Sequence, residues 1–188
     1  PGWSGSGPDH WQSRWQRNLR TARRVEQSDW LHPNRDAWVA ALIAAEATTA
    51  PDKPVILIAH SLGVATVAHA AARLPAGSIA GAFLVGPADV DNADRWPVTE
   101  GYTFDKSHNG FAPLPLRPLG FPSVLIASSN DPYCSFERAT TLGAAWGSTL
   151  VPAGEVGHIN VASGHGPWPE GLMRLGWFLK KLGEERRH

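Results

Sequence analysis

The sequence predicts an α/β fold, a three-layer α/β/α sandwich around a mostly parallel sheet of about six strands. The first observation is that short apolar runs alternate along the chain with stretches of helical period, a pattern typical of parallel strands joined by crossover helices. The second is that the middle runs are apolar almost throughout, so helices are expected on both faces of the sheet. The third is the length of 188 residues, which suits one domain spanning 1–188 with a substantial core.

The expected strands are the short runs rich in aliphatic and β-branched residues. They cover residues 24–27 (a weak run), 55–59, 79–85, 123–127 and 149–152. The chain begins at Pro1, and Pro1-Gly2 is typical of the end of a strand, so we expect a truncated first strand before Pro1. That strand is included in the expected total of about six.

The expected helices follow the apolar period of an α-helix. They cover residues 9–19, 35–47, 62–74, 136–146 and 170–182. Residues 91–121 have no sustained period and carry several aromatic residues and prolines. A long irregular segment in a compact domain is usually functional, and its aromatic content argues against disorder. We therefore expect residues 91–121 to lie over the carboxyl ends of the strands, where open α/β sheets bind ligands.

Charge and cysteine content narrow the class of protein. The 17 basic and 17 acidic side chains cancel, and a nucleic-acid partner is not expected because phosphate-backbone binders usually carry a basic excess. The longest apolar run is far short of the roughly 18 residues needed to cross a bilayer, so no membrane span is expected. Cys134 is the only cysteine, which excludes an internal disulfide framework and favours a reducing compartment such as the cytoplasm.

Residues 55–65 carry the most informative local pattern in the chain. The apolar run ends at Ser61, and an alanine-rich helical stretch begins at Leu62. Ala59 and Gly63 supply small residues two positions either side of the serine, as a strained strand-to-helix turn requires because it brings the two backbones close together. This arrangement is typical of a nucleophile elbow, in which the hydroxyl of Ser61 is held clear of the sheet.

A carboxylate is expected downstream of Ser61. A serine hydroxyl becomes a good nucleophile when a histidine takes its proton and a carboxylate orients that histidine. In the hydrolase order the acid and then the histidine follow the serine, each beyond a strand end. Asp131 lies in the segment 128–134, which directly follows the apolar run 124–127, and is the favoured acid. Asp89 follows the preceding strand and is the alternative. Either residue could also be an ordinary turn aspartate.

His158 is the expected base, because it lies a few residues past the strand that ends near Pro152. His165 is the alternative, and it lies nearer to the last helix. His60 directly precedes the nucleophile, so its side chain is expected to point away from Ser61. The remaining histidines are interpreted as structural, and their spacing matches no zinc pattern, so we predict no metal and no other cofactor.

Acyl transfer also requires two amide donors for the oxyanion. The backbone N–H of Leu62, the residue after the nucleophile, is the expected first donor. The glycine-rich stretch 1–8 is expected to supply the second through the backbone N–H of Trp3, with Ser4 as the next choice. A flexible surface loop is an equally good interpretation of the glycine content.

Several motifs together resemble one known family. They are Pro1-Gly2-Trp3, Ala59-His60-Ser61-Leu62-Gly63, Ser129-Asn130-Asp131-Pro132-Tyr133 and Gly157-His158-Ile159-Asn160, together with residues 5–12, 121–123 and 163–164. The chain resembles the small serine hydrolases of the retinoblastoma-binding protein 9 type, a compact branch of the α/β-hydrolase fold. The resemblance implies a Ser61-Asp131-His158 triad and varied esters or small amides as substrates. The Leu-x-Cys-x-Glu motif of that family's partner interaction is absent around Cys134, so that partner is not expected.

From the residues and the resemblance we expect a serine hydrolase that cleaves a small ester, thioester or activated amide through an acyl-enzyme on Ser61. Trp3 and the aromatic residues of 91–121 would wall an apolar acyl pocket. The alternative is a non-catalytic protein-binding module, because a fold alone does not imply a function. A dehalogenase or epoxide hydrolase on the same fold needs a carboxylate nucleophile, and Ser61 argues against it.

Overall fold

The structure is a computed structural model that describes residues 1–50, 52–98 and 101–185. Within these residues the helices are α1 (Trp11–Asn18), α2 (Arg35–Ala47), α3 (Leu62–Ala70), α4 (Phe136–Trp146) and α5 (Pro169–Glu185). The strands are β1 (Val55–Ser61), β2 (Ile79–Pro87), β3 (Ser123–Ala127) and β4 (Thr149–Pro152). Short 3₁₀ turns lie at Ala71–Arg73, Val90–Arg95 and Val161–Ser163.

The sheet is parallel throughout, with the strand order β1-β2-β3-β4. The register places Ser61 at the end of β1 opposite Pro87 at the end of β2. It also places Ala127 at the end of β3 opposite Pro152 at the end of β4. The carboxyl ends of all the strands therefore meet at one edge, and the loops that follow them can bring their side chains together there.

Helices cover both faces of the sheet because successive strand residues point to opposite sides. On one face, Ala82 and Leu84 of β2 belong to a buried cluster with residues of α2, α3 and α4. On the other face, Phe83 and Val85 belong to a second buried cluster with residues of α1 and α5. The predicted three-layer α/β/α sandwich with a parallel sheet is confirmed.

The number of strands is lower than expected, because the described residues form a sheet of four strands rather than about six. The weak strand predicted at 24–27 is wrong: that stretch pairs with no strand of the described sheet. The Arg24 guanidinium instead donates to the carbonyl of Ser6 at 3.1 Å, and the Gln27 amide donates to the carbonyl of Trp38 at 3.5 Å. The strand expected before Pro1 lies outside the sequence and stays a prediction.

The other predicted elements lie where they were expected, within a few residues at each end. α2, α4, β3 and β4 have their predicted bounds, and β1 and β2 each extend two residues further. The helix predicted at 62–74 is α3 followed by the 3₁₀ turn Ala71–Arg73, and Pro75 then prevents the helix from continuing. None of the described helices is both long enough and apolar enough to span a membrane.

Candidate active site

Ser61 lies in a strained turn between β1 and α3. Its backbone has φ 55° and ψ −123°, a region that residues other than glycine rarely adopt. The turn leaves little room, since a Cβ at Gly63 would lie 2.6 Å from the carbonyl oxygen of Pro1. Ser61 is the N-cap residue of α3, yet its side chain makes no capping hydrogen bond. Its hydroxyl is therefore available to a partner from another part of the chain.

That partner is His158, which in turn contacts Asp131. The hydroxyl oxygen of Ser61 lies 2.8 Å from Nε2 of His158, and Nδ1 of His158 lies 2.9 and 2.8 Å from the two carboxylate oxygens of Asp131. Because an ionised carboxylate can only accept, Nδ1 carries a proton, and Nε2 of the neutral ring is left as an acceptor. The three residues that the sequence singled out are thus brought together, with the polarity that activation of a serine requires.

The site is well shielded from solvent. Ser61 is 8% exposed and His158 is 6% exposed, and the side chain of Asp131 is 2% exposed. Charges and dipoles act more strongly in such surroundings than in water. The carboxylate of Asp131 can therefore stabilise a positive charge that develops on His158.

The alternative acid and base have other partners. The carboxylate of Asp89 accepts from Nε of Arg138 at 3.1 Å and from the amide of Asn92 at 2.7 Å. Nδ1 of His165 lies 3.2 Å from the hydroxyl oxygen of Ser163, at the end of a short 3₁₀ turn. Both side chains are therefore engaged with partners other than Ser61 and His158.

Residues 1–8 form an ordered turn rather than a flexible surface loop. The N–H of Gly5 donates to the carbonyl of Gly2 at 3.0 Å, and the N–H of Ser4 donates to the carbonyl of Trp30 at 3.0 Å. These bonds fix the turn internally and attach it to the segment that precedes α2.

Gly2 brings the backbone of this turn against the nucleophile. A Cβ at Gly2 would lie 2.6 Å from Cβ and 3.1 Å from Oγ of Ser61. The backbone N–H of Trp3 follows Gly2 directly, and the N–H of Leu62 is the first of α3, where the helix supplies no internal acceptor. Both predicted oxyanion donors therefore belong to backbone beside the Ser61 side chain, and their use in catalysis stays a prediction.

His60 packs beneath the imidazole of His158. Its Nε2 lies 2.8 Å from the carbonyl oxygen of His158, so it is the protonated nitrogen that donates. Burial lowers the pKa of His60 well below its usual value, and burial also lowers the pKa of the neighbouring His10 to about 3, so both rings are neutral. This contact could not be predicted from the sequence, because nothing in the elbow pattern indicates a partner 98 residues away.

Four aromatic side chains form a continuous wall beside the site, which we call the aromatic arc: Tyr133, Trp96, Phe104 and Trp3. The ring centroid of Tyr133 lies 4.1 Å from that of His158 and 5.5 Å from that of Trp96. Trp96 lies 4.6 Å from Phe104, and Phe104 lies 5.4 Å from Trp3. The arc therefore runs from the triad imidazole to the turn formed by residues 1–8.

Two members of the arc, Trp96 and Phe104, come from the irregular segment 91–121. The expectation that this whole segment covers the site stays a prediction, and Thr99 and Glu100 lie outside the described residues. Tyr133 was not singled out as a site residue from the sequence. Its place two residues after Asp131, in a loop that follows a strand, was the available signal.

The described residues offer neither an activated thiol nor a metal-binding group. Cys134 is buried, and that burial, followed by the nearby carboxylates of Asp89 and Asp131, raises the pKa of its thiol. A thiol that stays protonated is a poor nucleophile. Within the described parts of the chain, no group of three or more His, Cys, Asp or Glu side chains could hold a metal ion.

Comparison with known proteins assigns the chain to a family. The family model for serine hydrolases matches residues 1–177. The chain belongs to the serine hydrolase family. No curated protein matches this serine hydrolase. Among solved structures, a protein described as a YdeN-like hydrolase from Pectobacterium atrosepticum is 36% identical, with a TM-score of 0.79 over 97% of this chain and 89% of that one.

Two further structures share the fold of this serine hydrolase at lower identity. The ydeN gene product of B. subtilis is 18% identical, with a TM-score of 0.67 over 95% of each chain. The esterase domain of a Rhodothermus marinus protein is 17% identical, with a TM-score of 0.54 over 73% of this chain and 65% of that one. The predicted α/β-hydrolase fold and serine hydrolase class are confirmed, while the narrower resemblance to the retinoblastoma-binding protein 9 type stays a prediction.

Proposed function

We propose that this serine hydrolase cleaves a small ester, thioester or activated amide through an acyl-enzyme on Ser61. The observation that carries the proposal is the 2.8 Å contact between Oγ of Ser61 and Nε2 of His158, whose other nitrogen faces Asp131. His158 takes the hydroxyl proton while the serine oxygen attacks the carbonyl carbon of the substrate. Asp131 holds the ring in the required tautomer and stabilises the imidazolium that forms.

Two bond-breaking steps complete the proposed cycle. The tetrahedral intermediate collapses as His158 returns its proton to the leaving alcohol, thiol or amine, which leaves the acyl group on Ser61. Water then attacks the acyl carbon and gives a proton to His158. When the second intermediate collapses, that proton returns to the serine oxygen and the carboxylic acid is released.

The backbone N–H groups of Leu62 and Trp3 are the proposed donors to the oxyanion. The N-terminus of α3 favours negative charge beside Ser61. The close approach of Gly2 to the Ser61 side chain supports the neighbouring Trp3 amide as the second donor. Ser4 is the weaker candidate because its N–H already donates to the carbonyl of Trp30 at 3.0 Å. Loss of one such donor typically costs about 3 to 4 kcal/mol of transition-state stabilisation.

The aromatic arc supports an uncharged, apolar substrate group. It supplies aromatic rings on the side of the site next to His158, and apolar surface of this kind favours apolar ligands. The low exposure of Ser61 and His158 favours a small group over a bulky one. We propose that segment 91–121 covers this site and that the partner is a small acyl compound.

We also propose that the protein functions in the cytoplasm, because a single cysteine is typical of a reducing compartment.

A fluorophosphonate probe tests the proposal, since it labels an activated serine covalently. We expect labelling of wild type and none of Ser61→Ala. The matched control is Ser135→Ala, which removes another serine at a helix N-terminus and should retain labelling. A panel of p-nitrophenyl esters of increasing acyl length should then give the highest kcat/KM for short chains. Absence of labelling in folded wild type, or labelling that persists in Ser61→Ala, would overturn the proposal.

A further inference from the structure

We propose that His60 and Trp11 are positioning residues, which hold the backbone around His158 so that its imidazole faces Ser61. The proposal rests on the catalytic role proposed above for His158. Its basis is that the carbonyls of His158 and Ile159, which are adjacent in the chain, each accept a hydrogen bond from a buried ring N–H. We call this pair of bonds the carbonyl clamp.

Both bonds of the carbonyl clamp have ordinary hydrogen-bond lengths and lie away from water. Nε2 of His60 lies 2.8 Å from the carbonyl oxygen of His158, and Nε1 of Trp11 lies 2.9 Å from that of Ile159. His60 is 4% exposed, and Trp11 and Ile159 are both 0% exposed. A buried carbonyl that loses its donor cannot turn to solvent, so loss of either bond is costly.

The backbone that the clamp holds is strained. Ile159 has φ 49°, a left-handed conformation that is a clear outlier for a β-branched residue. Such conformations persist only where the surrounding structure fixes them. The carbonyls of His158 and Ile159 belong to the two peptide units that flank the Cα of Ile159. The clamp therefore holds both peptide planes that define the strained residue.

The clamp also connects the two reacting groups through the backbone. His60 directly precedes Ser61 on β1, so the segment that presents the nucleophile also binds the main chain of the base. Trp11 is the first residue of α1 and binds the next carbonyl of the same loop. A misplacement of about 1 Å at a reacting group can lower the rate about 100-fold. Release of the clamp should therefore reduce turnover while leaving substrate binding almost unchanged.

The first test compares three variants with p-nitrophenyl acetate as the substrate. His60→Leu removes the donor, and His60→Gln restores an N–H at a similar reach. His69→Leu is the matched control, because Nε2 of His69 also lies 2.8 Å from a backbone carbonyl oxygen, that of Phe111. We expect His60→Leu to lower kcat about 100-fold while KM stays within about threefold of wild type. The kcat of His60→Gln should be at least about tenfold higher than that of His60→Leu. His69→Leu should retain kcat within about threefold of wild type.

The second test addresses Trp11. Trp11→Phe removes the indole donor. Trp15→Phe replaces a neighbouring indole of the same buried cluster by a smaller ring and leaves the Trp11 donor in place. We expect kcat to fall about tenfold in Trp11→Phe and less than about threefold in Trp15→Phe. Because both clamp bonds fix Ile159, the combined loss in His60→Leu/Trp11→Phe should differ from the product of the single losses.

Circular dichroism and thermal unfolding establish that each variant is folded before its kinetics are compared. Equal kcat in His60→Leu and His69→Leu, or no recovery in His60→Gln, would overturn the clamp while wild type stays active. If His60→Leu does not fold, equal kcat in Trp11→Phe and Trp15→Phe overturns the clamp, and the expected difference supports it. Failure of the proposed function is recognised separately, since folded wild type would then show neither turnover nor labelling by the probe.

Discussion

Nε of Arg138 donates a hydrogen bond of 3.1 Å to a carboxylate oxygen of Asp89, and the same guanidinium also pairs with Asp91. The side chain of Asp89 is 8% exposed and that of Arg138 is 21% exposed, so this ion pair is largely removed from water. It attaches the loop after β2 to α4. The ion pair also binds the carboxylate of Asp89, which was the alternative to Asp131 as the triad acid because it too follows a strand.

Replacement of each aspartate by asparagine should separate a catalytic loss from a structural one. Asp131→Asn is expected to lower kcat about 10³- to 10⁴-fold, because the amide no longer fixes the required tautomer of His158. Asp89→Asn is expected to retain kcat but lower the free energy of unfolding by about 2 kcal/mol, because it weakens the bond to Arg138. Ester kinetics and urea unfolding measure the two effects, and the reverse ranking would assign the acid to the loop after β2.

Gly86 lies against the triad, so a methyl group there should disturb it. Gly86 has φ 51°, and a Cβ would lie 3.3 Å from the carbonyl oxygen of His158 and 3.5 Å from Oδ2 of Asp131. Gly77 has φ 78° and no heavy atom within 4 Å of such a Cβ, which makes Gly77→Ala the matched control for backbone strain. Both alanine variants should lose about 1 kcal/mol of stability, but only Gly86→Ala should lose about tenfold in kcat. Equal kcat in the two variants would contradict this.

A methyl group at Gly2 should collide with the side chain of Ser61. A Cβ there would lie 2.6 Å from Cβ of Ser61, which is closer than side chains tolerate. We expect Gly2→Ala to slow labelling by a fluorophosphonate about 100-fold, because the serine or the proposed Trp3 donor must shift. Gly7→Ala serves as the control, since a Cβ at Gly7 has no heavy atom within 4 Å. Labelling of Gly2→Ala at the wild-type rate would argue against this packing.

The free energy of unfolding is expected to fall in acid because His10 is buried in its neutral form. Burial lowers the pKa of His10 from 6.5 to about 3. Well above pH 6.5 the ring is neutral in both states, so it contributes no pH dependence there. Between those two pKa values the unfolded chain binds a proton that the folded one does not, so stability falls by up to about 1.4 kcal/mol for each unit of decreasing pH.

Urea unfolding between about pH 7 and pH 5 measures this slope. Burial also lowers the pKa of His60, which should add to the slope in the same direction. His10→Asn keeps a side-chain acceptor at the N-cap of α1 and should reduce the slope without abolishing folding. An unchanged slope in that variant would show that His10 is not the source.

The elements of the fold could be predicted where a local pattern of apolar residues indicates a strand or a helix. β3 and β4 have their predicted bounds because they are short runs of aliphatic residues between turns. The error at 24–27 has a physical reason: a strand is stabilised by a neighbouring strand, and Val25 is the only aliphatic residue in this stretch. The side chain of Arg24 binds the carbonyl of Ser6 instead.

The three residues of the proposed triad could be named from the sequence because each follows a strand of a parallel sheet. Strand position alone does not distinguish Asp131 from Asp89. The structure distinguishes them by the contact of Asp131 with His158 and by the bond from Arg138, 49 residues beyond Asp89, to the Asp89 carboxylate. The carbonyl clamp could not be predicted from the sequence either. The bond from Trp11 to Ile159 joins residues 148 positions apart, and no periodicity or motif specifies such a contact.

The burial of Cys134 makes this enzyme suitable for site-specific attachment of a reporter dye. The native thiol is buried and its pKa is raised, so a cysteine introduced at the surface is expected to react with a maleimide first. Tyr102, which is 43% exposed, lies within the irregular segment beside the aromatic arc. A fluorophore coupled to Tyr102→Cys would lie two residues from Phe104 of the arc and would report on an ester that binds there.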